Sequence, residues 1–195
     1  MHLRMIGSRS NVTLMPGDHY VSDKDVMIAT VLGSCVSVCL YDPVKRVVGM
    51  NHFLLSGRYR AETPLLFNEA GRYGVHAMEL IINAMLKLGA VKKHFRAKAF
   101  GGASILPARN HDNRFATVGD INSEFILQFL KNEGIQLVSF HLGGTEGRSI
   151  RFYSHDFAVY QKKIKRMNIP RVVRREKRYW ERGFTMTGPE PEIWE

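Results

Sequence analysis

The longest apolar stretch of the chain runs over residues 26–41 without a single charge, and Gly33-Ser34 divides it. Its 16 residues fall short of the roughly 20 that a membrane-spanning helix needs, so the run reads as two buried strands. Val, Ile and Thr on both sides of the break favour extended backbone, and Asp42-Pro43 opens a turn after the second half. Another strand follows over residues 47–55. Helical spacing appears over residues 74–88, where Met78, Ile81, Ile82, Met85 and Leu88 recur every three or four positions and Gly89 stands where a C-terminal cap belongs. A strand over 95–100 alternates basic and apolar residues and ends at Gly101-Gly102. A second helix carries Phe125, Ile126, Phe129 and Leu130, begins at an Asn122 or Ser123 cap, and closes at Gly134. Residues 135–140 form a strand, and 149–153 with 157–160 form a hairpin. Residues 1–25 are polar and irregular, with a turn at Pro16-Gly17-Asp18, and 57–70 read as an exposed loop. Two helices with five or six strands predict a layered α/β sandwich, and no repeat points to a solenoid.

Length and composition narrow this to one domain with tails. The chain has 195 residues, 45% of them apolar, and 24% charged, which disfavours both a disordered and a membrane-buried protein. Of the formal charge of +10, half lies in the residues from Lys162 onward. The basicity is thus densest in an appendage, whereas a nucleic-acid reader concentrates it on the folded surface. Cys35 and Cys39 on one strand stand roughly 13 Å apart at about 3.3 Å per residue, too far for a disulfide. Eight histidines occur with no H-E-x-x-H motif and no C-x-x-C pair, so no metal or cofactor is expected. The N-terminal residues lack a secretory apolar core, which points to the reducing cytoplasm.

The candidate chemistry lies in Thr30-Val31-Leu32-Gly33-Ser34-Cys35 and Asn51-His52-Phe53. A tight turn about Pro43-Val44, with Asp42 facing Lys45, sets Cys35 opposite His52 on one face of an antiparallel pair, where thiol and imidazole can meet. A slip of one residue would separate them. A neighbouring imidazole favours the nucleophilic thiolate, and Gly33-Ser34 lets the backbone turn so that amides of Ser34 or Cys35 face a developing oxyanion. The same residues also suit plain core packing, since Cys is among the most buried residue types. Cys39, without a flanking glycine, reads as core. Gly101-Gly102 and Gly143-Gly144 belong to no G-x-G-x-x-G or Walker sequence and read as sharp turns that allow a substrate helix close to the backbone.

Together the motifs resemble the CheD chemoreceptor glutamine deamidases. They are TVLGSCVSVCLYD ending at Asp42, GMNHFLL ending at Leu55, Arg72-Tyr73-Gly74 with Ala77-Met78-Glu79-Leu80, Lys98-Ala99-Phe100-Gly101-Gly102-Ala103, and Leu142-Gly143-Gly144 followed by Gly147-Arg148. The resemblance covers about residues 15–162 and sets an N-terminal extension over 1–14 and a basic tail over 163–195. It implies a three-layer α/β sandwich with antiparallel or mixed sheets and two main helices. It also implies a cysteine hydrolase that converts glutamines on the cytoplasmic helices of methyl-accepting chemotaxis receptors to glutamate, with glutamyl methyl ester hydrolysis as a second activity. Carried onto this chain, Cys35 is the nucleophile and His52 the acid–base group. Thr30 orients the histidine, unless that family position aligns with Ala29, and Gly33, Ser34, Gly101 and Gly102 line the oxyanion and substrate site. His141 stands where the family pattern calls for an acid. A CheC-type phosphatase is the regulatory partner implied, and the enzyme would work at membrane receptor arrays.

The tail offers the rival reading. Lys162-Lys163, Lys165-Arg166 and the basic residues from Arg171 to Arg182, interleaved with Tyr179 and Trp180, suit a non-catalytic chemotaxis adaptor or a nucleic-acid-binding module. A solvated extension with room for a docked or transient helix, which tunes docking near the receptors, is the simpler expectation.

Overall fold

Alternation of buried and half-exposed residues begins at β4 (Val26–Leu32), where Val26, Ile28, Thr30 and Leu32 face inward. In this computed structural model, which describes residues 2–6, 9–55, 65–67, 69–105, 117–164 and 169–185, β4 is the middle strand of a first five-stranded sheet. Its order is β1 (His2–Ile6), β2 (Arg9–Thr13), β4, β9 (Arg148–Tyr153) and β10 (Val159–Lys163). The second sheet runs β3 (His19–Ser22), β6 (Val47–Asn51), β5 (Val36–Asp42), β7 (Arg96–Gly101), β8 (Gln136–Leu142). Both sheets are mixed: β2 and β4 are parallel, as are β7 and β8, and the remaining pairs are antiparallel.

Every residue of β5 is buried because the strand is covered on both faces. Val36, Val38 and Leu40 pack toward α1 (Glu69–Lys87) and α2 (Val118–Asn132), with Met78, Ile81, Met85, Phe125 and Phe129. Cys35, Cys39 and Tyr41 point the other way, against Ile28, Leu32, Ile150 and Phe152 of the first sheet. Helices, second sheet and first sheet therefore form three layers, as the family resemblance implies. The unbroken apolar run is the signature of a strand buried on both faces. Its two halves belong to different sheets, so the chain crosses between layers at residues 33–35.

Local details depart from the sequence reading or sharpen it. The turn after β5 is longer than expected: Asp42 pairs with Val47, and Pro43 to Arg46 form the turn. Asp42 Oδ1 accepts from the amides of Val44 and Lys45, and Arg46 takes a left-handed φ of 55°, which together hold a four-residue loop. The second helix begins a turn earlier, at an N-cap on Thr117 in a reciprocal capping box with Asp120. Residues 1–25, read as irregular, instead hold β1, β2 and β3, with β2 beside β4 and Val12 and Leu14 fully buried. The tail carries a helix, α3 (Ile169–Thr185), whose Val172 and Glu176 are buried, in keeping with the docked helix the sequence reading allows there. Most of the loop expected over 57–70 lies outside the described residues; within it, Leu65–Phe67 form a short 3-10 turn. Gly89 and Gly134 follow α1 and α2 with φ of 87° and 64°, as helix-ending glycines do. No described helix is long and apolar enough to cross a membrane.

Candidate active site

The crossing between the sheets makes a small cradle out of backbone. Leu32 ends β4 and Val36 begins β5, so Gly33, Ser34 and Cys35 are free of both ladders and their polar groups need other partners. The three carbonyls are tied from one side. Ala103 N–H donates to Gly33 O at 2.7 Å, Asn122 Nδ2 to Ser34 O at 2.8 Å, and Gly102 N–H to Cys35 O at 2.8 Å. With the carbonyls fixed, the three N–H groups face the opposite side and converge on one point. Asn122 does double work, since its Oδ1 also accepts from the Leu55 amide at 2.9 Å.

That point holds a carboxylate. Glu176 of α3 accepts from Gly33 N at 2.8 Å and Cys35 N at 3.3 Å through Oε1. Its Oε2 accepts from Ser34 N at 3.0 Å and Ser34 Oγ at 2.6 Å. A β-carbon at Gly33 would stand 2.9 Å from Glu176 Oε1, so glycine is what lets the carboxylate approach.

Beside the cradle, Cys35 Sγ, a ring nitrogen of His52 and an oxygen of Glu176 lie within 4.8 Å of one another, all in buried residues. The β5–β6 register moves the histidine from the expected position. Val36, not Cys35, sits across from a partner at this end, bridging Phe53 through both backbone hydrogen bonds. Cys35 and His52 each precede a member of that bridge and so lie diagonally across it. The shift is of two residues, which preserves the face, and both remain on the side of the first sheet. The backbone of His52 is clamped by Pro16-Gly17-Asp18, the turn read from sequence: Gly17 N–H donates to His52 O and His52 N–H to Asp18 O.

Thr30, on the inward face of β4, meets the ring. Its Oγ1 donates to Leu14 O at 2.9 Å and lies 2.7 Å from His52 Nδ1. A hydroxyl has one proton, so with that proton on Leu14 the threonine oxygen accepts from Nδ1–H. This assigns the tautomer and leaves the Nε2 lone pair, which is buried without a hydrogen-bond partner, for an incoming proton. Burial, reinforced by the Arg175 guanidinium, pushes His52 down from 6.5 to about 3. Burial, reinforced by the Glu176 carboxylate, pushes the Cys35 thiol well up. With α3 in place both groups are neutral, and the site holds a thiol and an imidazole.

Cys, His and Glu are also a donor set that zinc accepts. Here, however, the four lone-pair positions of the Glu176 carboxylate are matched by four donors, which leaves it none to offer an ion.

Cys35, His52, Thr30, Gly33 and Ser34 thus come together. Gly101 and Gly102 stand behind them: at φ of 118°, a β-carbon on Gly101 would lie 2.1 Å from Cys35 O, and one on Gly102 would meet Ser123. The close approach those glycines permit is made by the protein's own backbone. His141 is exposed and bonds Gln161, and both cysteines are free thiols. Asn122 and Glu176 were not evident from sequence. Asn122 looked like a helix cap, and Glu176 is an acid within a basic block, where a carboxylate reads as a solvated charge.

Residues 62–163 match the family model described as CheD chemotactic sensory transduction, a span downstream of Thr30, Cys35 and His52. The chain is 45% identical over 192 residues to a "Probable chemoreceptor glutamine deamidase CheD 1" of Geobacter sulfurreducens, which covers 98% of this chain and 95% of that one. It is 49% identical over 158 residues to a "Probable chemoreceptor glutamine deamidase CheD 2" of Shewanella oneidensis, covering 80% and 78%. A crystal structure of the Bacillus licheniformis hypothetical protein YfiH is similar at a TM-score of 0.37 and 18% identity, over 64% of this chain and 50% of that one.

Proposed function

The chain belongs to the CheD family, and from that premise we propose that it deamidates glutamine side chains of chemoreceptors through a thioester on Cys35. The observation that carries this reading is the glutamate side chain held by three amides beside the thiol. A glutamine carboxamide has the same carbon skeleton and planar head group as that carboxylate, and its carbonyl oxygen fits the Oε1 position, where the amides of Gly33 and Cys35 donate.

The chemistry follows from the groups in reach. When a substrate glutamine takes the place of Glu176, His52 Nε2 accepts the thiol proton and Cys35 Sγ attacks the carboxamide carbon. The carbonyl oxygen becomes an oxyanion facing the N–H groups of Gly33 and Cys35, aimed there before the reaction begins. Protonated His52 then gives its proton to the departing amine, and ammonia leaves a thioester. Water, deprotonated by the same imidazole, attacks the thioester, and glutamate is released with the thiol restored. Thr30 positions the ring throughout. A glutamyl methyl ester would react by the same steps, with methanol leaving.

The substrate's location sets the enzyme in the cytoplasm at the receptor arrays, with a CheC-type phosphatase as the regulatory partner that the family resemblance implies. Mass spectrometry of a receptor cytoplasmic fragment incubated with the wild-type chain should show glutamines converted to glutamate, and with Cys35→Ala none. Equal conversion by both would overturn the reading. A silent Cys35→Ala combined with damage from charge reversal at Arg171 and Arg178 would return the adaptor reading instead.

A further inference from the structure

We propose that α3 is a tethered product mimic: Glu176 fills the acyl position meant for a receptor glutamine, and the enzyme turns over only while the helix is displaced. The inference rests on the deamidase reading and adds a cis-acting regulation of that site.

Four positions of α3 face the body, and their spacing is that of one helical face. Val172 is buried, and Arg175 Nη2 donates to Val31 O at 2.6 Å. Glu176 enters the cradle, and Tyr179 packs over Gly17 with its hydroxyl against that of Tyr73. Arg171, Arg174, Lys177 and Arg178 are exposed on the remaining surface. The helix is therefore docked through one narrow stripe, and that stripe carries the side chain that the reaction yields as its product.

A carboxylate only 5% exposed is costly unless its charge is met by donors. The donors here include the N–H groups that the proposed mechanism reserves for the oxyanion, so the helix and a substrate cannot occupy the cradle together. Only residues 164–168 separate β10 from α3, so the mimic competes as an intramolecular ligand. The docked state also leaves the thiol protonated, because burial, and then the Glu176 charge beside it, push its pKa up.

The inference has a chemical signature. Glu176→Gln presents a carboxamide to Cys35 in the geometry of a substrate. The sulfur attacks its carbon, ammonia leaves with the His52 proton, and water cleaves the thioester, returning a glutamate with a mass gain of about 1 Da that amide hydrolysis gives. The conversion should be first order with a rate independent of protein concentration, and absent when Cys35→Ala is added.

The second arm measures access alone. Iodoacetamide labelling of Cys35, followed by peptide mapping with buried Cys39 as the internal reference, compares wild type, Glu176→Ala and a chain ending at Met167. If the helix is docked nine-tenths of the time, removing its anchor should raise labelling and receptor deamidation about tenfold. Glu176→Ala keeps the basic surface of α3, so its effect is separate from any loss of charge-driven receptor association in the shortened chain. Unchanged labelling in both variants, with Glu176→Gln remaining an amide while the same preparation deamidates a receptor fragment, overturns the inference and leaves the deamidase reading standing. If receptor glutamines also stay intact, the deamidase reading falls, and with it the proposed role of α3. Faster labelling would then show only that the helix covers Cys35.

Discussion

The two walls of the acyl pocket are held by different means. Residues 33–35 are fixed by backbone ties, with every carbonyl engaged by the 102–103 segment or by Asn122. The opposite wall, α3, is held by the side chains of one helical stripe. Backbone bonds from two other parts of the fold cannot be given up singly without exposing buried polar groups, whereas a stripe of side chains can lift as a unit. On the proposed reading, the reacting groups are therefore built into the backbone-tied wall, and the group that blocks them into the helix held by side chains alone.

The largest effect should come from the rigid wall's nucleophile. Cys35→Ala should lower deamidation by about 10³-fold or more. The melting temperature should stay near wild type, since the amides and their ties remain; a large drop in it would mean that the sulfur also holds the cradle together. Next comes the ring's support. Thr30→Val removes the acceptor that fixes the His52 tautomer and should cost about 10²-fold in kcat, the range for a positioned acid–base group. Thr30→Ser should restore most of it, and a loss that Ser does not restore would mark Thr30 as packing.

A smaller effect, read in stability, tests the ties themselves. Asn122→Ala leaves Ser34 O and the Leu55 amide without their partner and should destabilise by about 1–3 kcal/mol in denaturant unfolding, with activity falling alongside. If activity falls while stability holds, Asn122 shapes the cradle without bearing on the fold.

The smallest effect concerns pH. His52 is neutral when folded because its pKa lies near 3 instead of 6.5. Between those values the unfolded chain binds more protons at this position, so this contribution to stability is present above the upper value and is lost as the pH falls toward the lower. Comparison with His52→Gln isolates it from other carboxyl and histidine groups, including Asp18 and Glu176: the variant should lose less stability between pH 7 and pH 4. Parallel curves would show that the ring's burial is relieved by acid without unfolding.

How much of this the sequence disclosed depends on which physical signal each part leaves. The core strands and both main helices announce themselves because apolar residues must recur with the period of the element that buries them. Cys35 and His52 were readable as sharing a face, since a face depends only on parity. Their exact offset was not, because it turned on whether the β5–β6 connection was tight or four residues long, and Arg46 in a left-handed conformation is not an obvious turn signal. Thr30 came from the family resemblance, with Ala29 as the competing alignment; by residue type alone it is a β-branched strand position, and its inward face sets it against Leu14 and His52. The docking of α3 left the faintest trace. The helix is strongly amphipathic, but the surface it covers is a polar nest of amides, so its contact face carries Arg and Glu among Val and Tyr and the sequence does not tell a docked helix from a solvated basic one.

The wall behind the sulfur has one further consequence. Gly101 presses so closely on the Cys35 carbonyl that not even a methyl group fits there. Mutational search for new substrates is therefore closed from the rear, and any drift in what this enzyme recognises must be written on the mouth of the pocket, where neighbouring side chains can vary without moving the nucleophile.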